Sequence, residues 1–400
     1  MLLSLALIFL LALSLSALAE KFHLPTLVGM LLSGVILGPY VLDLIDPSLL
    51  GISAELRQLA LVIILLRAGL SLDLNDLKKV GRPAVLMAFL PALFEWTAYT
   101  FLAPLFWPLS RPEAALMGAV LAAVSPAVVV PRMIRLIDEG YGTDEGIPQL
   151  ILAGASADDV FVIVLFTSLL GMAGGKSAGI LNVLAIPLSI VTGILAGALA
   201  GLVLAAFFNR RYEKGRYIRN SIKILIILSF AALLLALEKA LTDYLAMSGL
   251  LAVISMAQVL RRKTAPIVSG RLNVKLSKLW LAAEILLFVL VGAEVDIRYT
   301  LKAGPAALLL ILAALILRSA GVLIALAGTG LSRKERLFAV FAYLPKATVQ
   351  AAIGAVPLSL GLDCGPIILS VAVLGILITA PLGALAIEGS YKRLLKKAED

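Results

Sequence analysis

Long apolar runs recur along the whole chain, and they constrain its fold more than any other feature. Stretches of about 17–25 residues with few charges, long enough for a helix to cross a bilayer, follow one another throughout the sequence. Hydrophobic residues make up 61% of the chain and charged residues 15%, whereas soluble domains are about half apolar and a quarter charged. The chain is therefore predicted to be an all-α polytopic membrane protein. The runs lack the alternation of a membrane β-barrel.

Thirteen membrane spans are predicted from these runs. The first lacks a charged start and a small-residue cleavage site, so it is interpreted as a helix and not as a signal peptide. The predicted spans lie near 2–19, 25–38, 53–72, 84–106, 113–136, 146–172, 178–208, 218–238, 243–260, 279–295, 304–327, 335–359 and 365–387. The connections between them are short, the longest being the basic loops 209–217 and 261–278.

The basic residues of these connections fall mainly on one side of the membrane. The rich side carries Lys21, Lys78, Lys79, Arg82, Arg132, Arg135, Arg210, Arg211, Lys214, Arg216, Arg219, Arg261, Arg262, Lys263, Arg271, Lys275, Lys278, Arg333, Lys334, Arg336, Lys392, Arg393, Lys396 and Lys397. The poor side carries Arg57, Arg111, Lys176, Lys239, Arg298 and Lys302. Cytoplasmic loops are enriched in Lys and Arg, so the N-terminus is predicted outside and the C-terminus in the cytoplasm of a plasma (inner) membrane. The net charge of +9 follows from this bias and does not indicate nucleic acid.

Cysteine and histidine are nearly absent. Cys364 and His23 are the single examples of each, which excludes a disulfide framework, a cysteine-ligated metal cluster and most histidine chemistry. The sequence contains no nucleophile and base arrangement typical of an enzyme. We therefore expect a protein that is not an enzyme and has no cofactor.

Two halves of the chain share an order of features. Gly69 in the third span corresponds to Gly292 in the tenth, and Asp73 corresponds to Asp296. The same offset puts Glu95 opposite Arg318, and one span later each half has a proline interruption. Because the third and tenth spans run in opposite directions, the sequence predicts an inverted repeat, an architecture of many secondary transporters.

Charged residues inside apolar spans are costly and indicate functional sites. They are Arg67, Glu95, Asp158, Asp159, Arg318 and Lys346. Two adjacent carboxylates repel one another, which favours holding a proton, and a small hard cation can supply the missing positive charge instead. Asp158 and Asp159 could thus exchange a proton for a cation. The alternative is a pair neutralised by a buried Arg or Lys for packing alone.

The fifth and twelfth spans are predicted to be discontinuous helices that cross near the Asp pair. Ser125, Pro126 and Pro131 interrupt the first, and the stretch 345–348 interrupts the second. Freed backbone groups are tolerated inside a membrane only where they are buried or line a cavity. Ser125 and Thr348 offer hydroxyl oxygens there, and Lys346 could neutralise helix ends. Either break alone would also fit an ordinary proline kink.

Glu95 and Arg318 occupy equivalent places in the two repeats and could form a buried pair that fixes one arrangement of the helices. The alternative is that Arg318 pairs with Asp158 and is released when an ion binds. The sequence does not choose between them.

Five segments resemble the cation/proton antiporter superfamily, and within it the NHA branch that includes animal sodium/hydrogen exchangers of the B type. The segments are 62–70 with Asp73, 123–131 (Ala-Val-Ser-Pro-Ala-Val-Val-Val-Pro), 154–160, 290–294 and 344–354 (Leu-Pro-Lys-Ala-Thr-Val-Gln-Ala-Ala-Ile-Gly). The resemblance implies a homodimer with a six-helix ion-translocating core that works by an elevator motion. It also implies that Asp159 is the main ion-binding residue with Asp158 beside it, and that Glu95 and Arg318 are a core charge pair. Arginine at 318 departs from bacterial relatives, which usually have lysine there, so the stoichiometry stays open.

The remaining assignments follow from the resemblance. Na⁺ is expected at Asp159 and Asp158, with Ser156, Ser125 and Val128 completing the ion site, and Pro126, Pro345, Lys346 and Thr348 supporting the broken helices and their charge. The expected parts are 1–80 and 211–300 for dimerisation, 81–173 and 301–390 for the core, 174–210 for a linker helix and 391–400 for a short basic cytoplasmic tail.

A Na⁺ (or Li⁺)/H⁺ antiporter is the favoured function. A K⁺/H⁺ antiporter would use the same machinery. An ion channel fits poorly, because dehydrating sites on broken helices suit alternating access better than fast conduction. A sodium-coupled organic-anion symporter would need a wider polar cavity than the few polar residues in these spans provide.

Overall fold

The computed structural model describes residues 1–22, 24–71, 81–173, 180–215, 218–241 and 247–397. Within these residues the chain is all-helical apart from turns, short connections and an isolated bridge between Tyr141 and Lys397. The side chain of Ser156 is not described. Other residues of the sequence analysis that lie outside the described part are His23, Asp73, Lys78, Lys79, Lys176 and Arg216.

The helices follow one another with short connections. They are α1 (Leu2–Lys21), α2 (Thr26–Leu37), α3 (Pro47–Gly51), α4 (Ser53–Ser71), α5 (Arg82–Met87), α6 (Leu90–Leu102), α7 (Arg111–Leu121), α8 (Pro126–Asp138), α9 (Ile147–Ala173), α10 (Ile180–Glu213), α11 (Asn220–Leu241), α12 (Gly249–Lys263), α13 (Pro266–Ala293), α14 (Ile297–Ala325), α15 (Arg333–Ala342), α16 (Thr348–Gly354), α17 (Val356–Ser359) and α18 (Gly365–Leu394). A 3₁₀ turn, Ala103–Leu105, follows α6.

Among the described residues, nine helical stretches are long and apolar enough to cross a membrane, and two shorter apolar helices accompany them. In the most apolar parts of Leu188–Glu213 and Asn220–Leu241, only 28% of residues are buried within the protein. The surface of these helices therefore consists mainly of apolar side chains. Contact of such apolar surfaces with lipid is favourable, whereas their contact with water is unfavourable. The chain is a multi-pass membrane protein, and its count of thirteen spans stays a prediction.

Both predicted helix interruptions are present, but Pro131, expected to belong to the first, lies inside the continuous helix α8. α7 ends at Leu121 and α8 begins at Pro126, while α15 ends at Ala342 and α16 begins at Thr348. Proline is well suited to the first turn of α8, where its missing N–H would have had no partner in the helix. The stretches 122–125 and 343–347 therefore present backbone groups inside the protein.

Two connections were wrong in the sequence analysis. Residues 266–278 of the expected loop 261–278 are helical, because α13 begins at Pro266, and residues 209–213 of the expected loop 209–217 belong to α10. Arg271, Lys275 and Lys278 are exposed and recur at helical spacing, so this part of α13 carries a solvated face. Hydrophobicity located the membrane span and missed its polar extension.

Contacts divide the chain into two compact units. The first contains the described residues of 1–57, 73–162 and 285–400. In it α6 packs on α14, where Gly321 lets the backbone at Leu90 and Pro91 approach closely, and α18 packs on α14, α15 and α16. All the candidate site residues belong to this unit.

The second unit contains the described residues of 58–72 and 163–284, and α10 packs on α12 along a face of glycines. A Cβ atom added at Gly197 would lie less than 3.0 Å from the carbonyl oxygen of Ala252, and Gly193 and Gly201 meet α12 in the same way. Small residues at this spacing let the backbones of two membrane helices come into contact.

Gly197→Val is therefore expected to destabilise the protein by about 1–3 kcal/mol, because the added side chain forces the two backbones apart. The measurement is thermal unfolding in detergent. Gly270→Ala is the control, since a Cβ at Gly270 meets no atom within 4 Å, and alanine favours a helix. Equal melting temperatures for the two variants would contradict the close packing of α10 on α12.

Candidate functional site

Asp158 lies in α9, and its side chain is completely buried. Its Oδ2 accepts a hydrogen bond from the backbone N–H of Val124 at 2.7 Å and lies 3.6 Å from Nη2 of Arg318. Val124 belongs to the interruption between α7 and α8. Asp158 is thus held by a hydrogen bond and a cation, which makes it the anchored member of the pair.

Asp159 follows it in the same helix and is 6% exposed. Its Oδ1 is buried and has no hydrogen-bond partner among the described residues. Because successive helical residues point about 100° apart, the two carboxylates face different surroundings. A buried charge without a partner is costly, so Asp159 is the member of the pair that favours a bound proton or cation.

Glu95 lies between two cations. Its Oε2 accepts hydrogen bonds from Nη1 of Arg318 and Nζ of Lys346, both at 2.7 Å, and its Oε1 lies 2.6 Å from the same ammonium group. The three side chains are at most 1% exposed. Arg318 therefore contacts both of its expected partners, Glu95 closely and Asp158 at a longer distance.

Three side chains from the second half of the chain cap the buried carboxyl end of α7. Lys346 Nζ donates to the carbonyl of Leu121 at 2.6 Å, Arg318 Nη1 donates to that of Ala122, and Gln350 Nε2 donates to that of Ala123 at 2.8 Å. The carboxyl end of a helix carries partial negative charge, so two cations stabilise it.

The two interruptions are also bonded to one another. The N–H of Ser125 donates to the carbonyl of Pro345 at 2.8 Å. The hydroxyls of Ser125 and Thr348 are buried and have no hydrogen-bond partner within the described residues. The carbonyl of Val128 accepts from Arg132 Nη1 at 2.7 Å. The crossing thus holds two unused hydroxyl oxygens, which suit a hard cation.

Sequence reasoning assigned no role to Gln350, Thr379 or Tyr343. Thr379 Oγ1 accepts the N–H of Lys346 at 3.0 Å, and the carbonyl of Tyr343 accepts from Arg318 Nε at 2.6 Å. A polar residue inside an otherwise apolar helix could have identified Gln350 and Thr379. Nothing in the sequence indicated Tyr343, whose backbone carbonyl and ring both contact Arg318.

The buried charges at the site do not balance. Among the described residues, the site contains three buried carboxylates (Glu95, Asp158 and Asp159) and two buried cations (Arg318 and Lys346). When all five are ionised the cluster carries one net negative charge, which a single proton or monovalent cation would neutralise. Low-polarity surroundings strongly favour such neutralisation.

A family model and the curated relatives of this chain all describe sodium/hydrogen exchangers. Residues 5–388 match the family described as "Sodium/hydrogen exchanger, transmembrane". Sodium/hydrogen exchanger 9B2 of Mus musculus is 35% identical over 388 residues, covering 94% of this chain and 69% of the relative. Sodium/hydrogen exchanger 9B1 of Homo sapiens is 33% identical over 379 residues, covering 90% and 71%.

A solved structure shares the fold. The sodium proton antiporter MjNhaP1 from Methanocaldococcus jannaschii at pH 8 matches with a TM-score of 0.83 and 22% identity, covering 98% of this chain and 97% of that one. A similarity that spans both chains almost completely extends to the order and the packing of the helices.

Proposed function

The chain belongs to the sodium/hydrogen exchanger family, and we propose that it exchanges Na⁺ or Li⁺ for H⁺ through the carboxylates of Asp159 and Asp158. It is a secondary transporter and not an enzyme. The observation that carries the proposal is the single net negative charge of the buried cluster. A proton and a monovalent cation are alternative ways to neutralise it, so binding one releases the other.

The surroundings of Asp159 support this chemistry. It is the carboxylate without an ion pair among the described residues, while Asp158 is anchored by Val124 and Arg318. The unused hydroxyls of Ser125 and Thr348 would replace part of the hydration shell of a hard cation. Because one proton or one monovalent cation neutralises the single net negative charge of the cluster, we expect a stoichiometry of one cation for one proton.

The mechanism we propose is elevator-type alternating access. Glu95, Arg318 and Lys346 bond α6, α14 and the 343–347 stretch to the end of α7, so these elements would move together as a core formed by 81–173 and 301–390. Residues 1–80 and 211–300 would form the dimerisation domain of a homodimer. We place the N-terminus outside and the C-terminus in the cytoplasm of the plasma membrane.

The test is exchange in proteoliposomes with an internal pH dye. Na⁺ and Li⁺ gradients should drive proton movement, and K⁺ should drive it weakly. A clamped membrane potential should leave the initial rate unchanged, because one cation for one proton moves no net charge. Stronger exchange with K⁺ would favour the K⁺/H⁺ alternative, and no exchange with any of the three ions would refute the proposal.

The apparent KM for Na⁺ should rise as pH falls. Proton and cation compete for the same carboxylate, so each tenfold rise in proton activity should raise the KM by up to about tenfold where the site is mostly protonated. Initial rates measured between pH 5.5 and 8.5 give the slope of KM against pH. As a control, the maximal rate at saturating Na⁺ should stay about the same at each pH. A KM that does not depend on pH would exclude a shared carboxylate.

A further inference from the structure

Gln350 joins the two helix interruptions with a single side chain. It lies on α16 and is completely buried. Its Oε1 accepts the N–H of Ala347 at 2.8 Å, and its Nε2 donates to the carbonyl of Ala123 at 2.8 Å and to that of Leu121 at 3.4 Å. An N–H needs an acceptor and a carbonyl needs a donor, so the amide has only one satisfactory orientation.

Gln350 and Asp158 bind opposite edges of the same peptide group. The carbonyl of Ala123 and the N–H of Val124 belong to one planar unit, in which the oxygen and the hydrogen point in opposite directions. Gln350 Nε2 donates a hydrogen bond to the oxygen, and Asp158 Oδ2 accepts one from the N–H, with 2.7 Å between nitrogen and oxygen. A donor on the carbonyl fixes the plane and strengthens the N–H as a donor to the carboxylate.

We propose that Gln350 is a positioning residue for cation exchange, which acts on Asp158 through the Ala123–Val124 peptide group. This inference rests on the proposed function. The N–H of Val124 makes the hydrogen bond of Asp158, whereas Arg318 lies at 3.6 Å, beyond a good hydrogen bond. Gln350 therefore fixes the position of the N–H that holds the Asp158 carboxylate beside Asp159.

Other charged and titratable groups also face Asp158. They are Arg318, Lys346, Glu95, Tyr343 and Asp159. None of them touches the Ala123–Val124 peptide group through its side chain in the described residues, so a variant of Gln350 changes one influence on Asp158 and leaves these in place.

Gln350→Met tests the inference, because methionine fills the space without either hydrogen bond. We expect the apparent KM for Na⁺ to rise by up to about tenfold, because the freed peptide group weakens the charge-assisted hydrogen bond from the N–H of Val124 to Asp158. The maximal rate at saturating Na⁺ should change much less, because Asp159, the carboxylate that exchanges the proton and the cation, is unaltered. Gln258→Met is the matched control: Gln258 Nε2 donates to the carbonyl of Gly69 at 2.8 Å, in the other unit.

A double variant separates positioning from general structure. In an Asp158→Asn background, Gln350→Met should change the KM for Na⁺ by less than about twofold, because the effects of coupled residues do not add. The same full effect in that background would overturn the inference, as would wild-type behaviour of the single variant. If Gln350→Met does not fold, Gln350→Asn carries the test: it keeps a neutral amide, and it is one methylene too short to hold both the N–H of Ala347 and the carbonyl of Ala123. Wild-type protein that does not exchange Na⁺ for H⁺ would refute the proposed function itself.

Discussion

Asp159→Asn is expected to abolish Na⁺-driven proton movement in proteoliposomes, down to the level of protein-free vesicles. The amide cannot bind and release a proton, and it removes the carboxylate that has no ion pair among the described residues and can therefore bind the cation. The protein should still fold, because the variant replaces a buried charge that has no ion pair among the described residues with a neutral group of the same shape. Its melting temperature should therefore be equal to or above that of wild type.

Asp158→Asn is the matched control, since it makes the same chemical change at the next residue. The asparagine oxygen can still accept the N–H of Val124, so the interruption at 122–125 should keep its position. We expect this variant to exchange with an altered pH profile and nearly unchanged preference between Na⁺ and Li⁺. Full exchange by a folded Asp159→Asn protein, together with loss of exchange in Asp158→Asn, would reverse the roles assigned to the two carboxylates.

The interruptions and the carboxylate pair could be predicted because each depends on local chemistry. Proline removes a backbone donor wherever it occurs in a helix, so Pro126 and Pro345 locate the breaks without knowledge of the fold. Adjacent aspartates in an apolar span are costly in any membrane. Hydrophobicity likewise located the helices, and failed at Pro266, where α13 continues beyond its apolar part.

The sequence named Glu95 and Asp158 as candidate partners of Arg318 but could not choose between them or predict the contact of Lys346 with Glu95, because it gives the depth of a residue in the membrane and not its neighbours. Glu95, Asp158, Arg318 and Lys346 all lie in the middle of apolar segments, so several pairings satisfied the same pattern. In the structure Lys346 contacts Glu95 as well as the end of α7, and Arg318 contacts two carboxylates. The packing of α6 on α14 brings Glu95 to Arg318, and α9 and the 343–347 stretch bring Asp158 and Lys346 to them.

The largest loss of stability is expected for Glu95→Gln. This substitution leaves Lys346 without a carboxylate partner and Arg318 with the more distant Asp158 alone. Removing one partner of a buried ion pair typically costs about 3–5 kcal/mol, because the remaining charge stays buried. Thermal unfolding in detergent should show a large fall in melting temperature. Glu335→Gln is the control, since Glu335 is also buried but caps α15 through Ser332, a bond that glutamine can keep.

Removing a cation together with Glu95 should restore part of the loss. In Glu95→Gln with Lys346→Gln, Arg318 is the one buried cation left in the cluster, and it still faces Asp158 at 3.6 Å. The melting temperature of this double variant should therefore exceed that of Glu95→Gln alone, and double-variant cycles should show strong coupling of position 95 with both 346 and 318. Selectivity among cations should change little, because Glu95 is satisfied by its two partners and offers no free charge. Zero coupling between 95 and 318, beside strong coupling between 158 and 318, would show instead that Arg318 serves the ion-binding carboxylates.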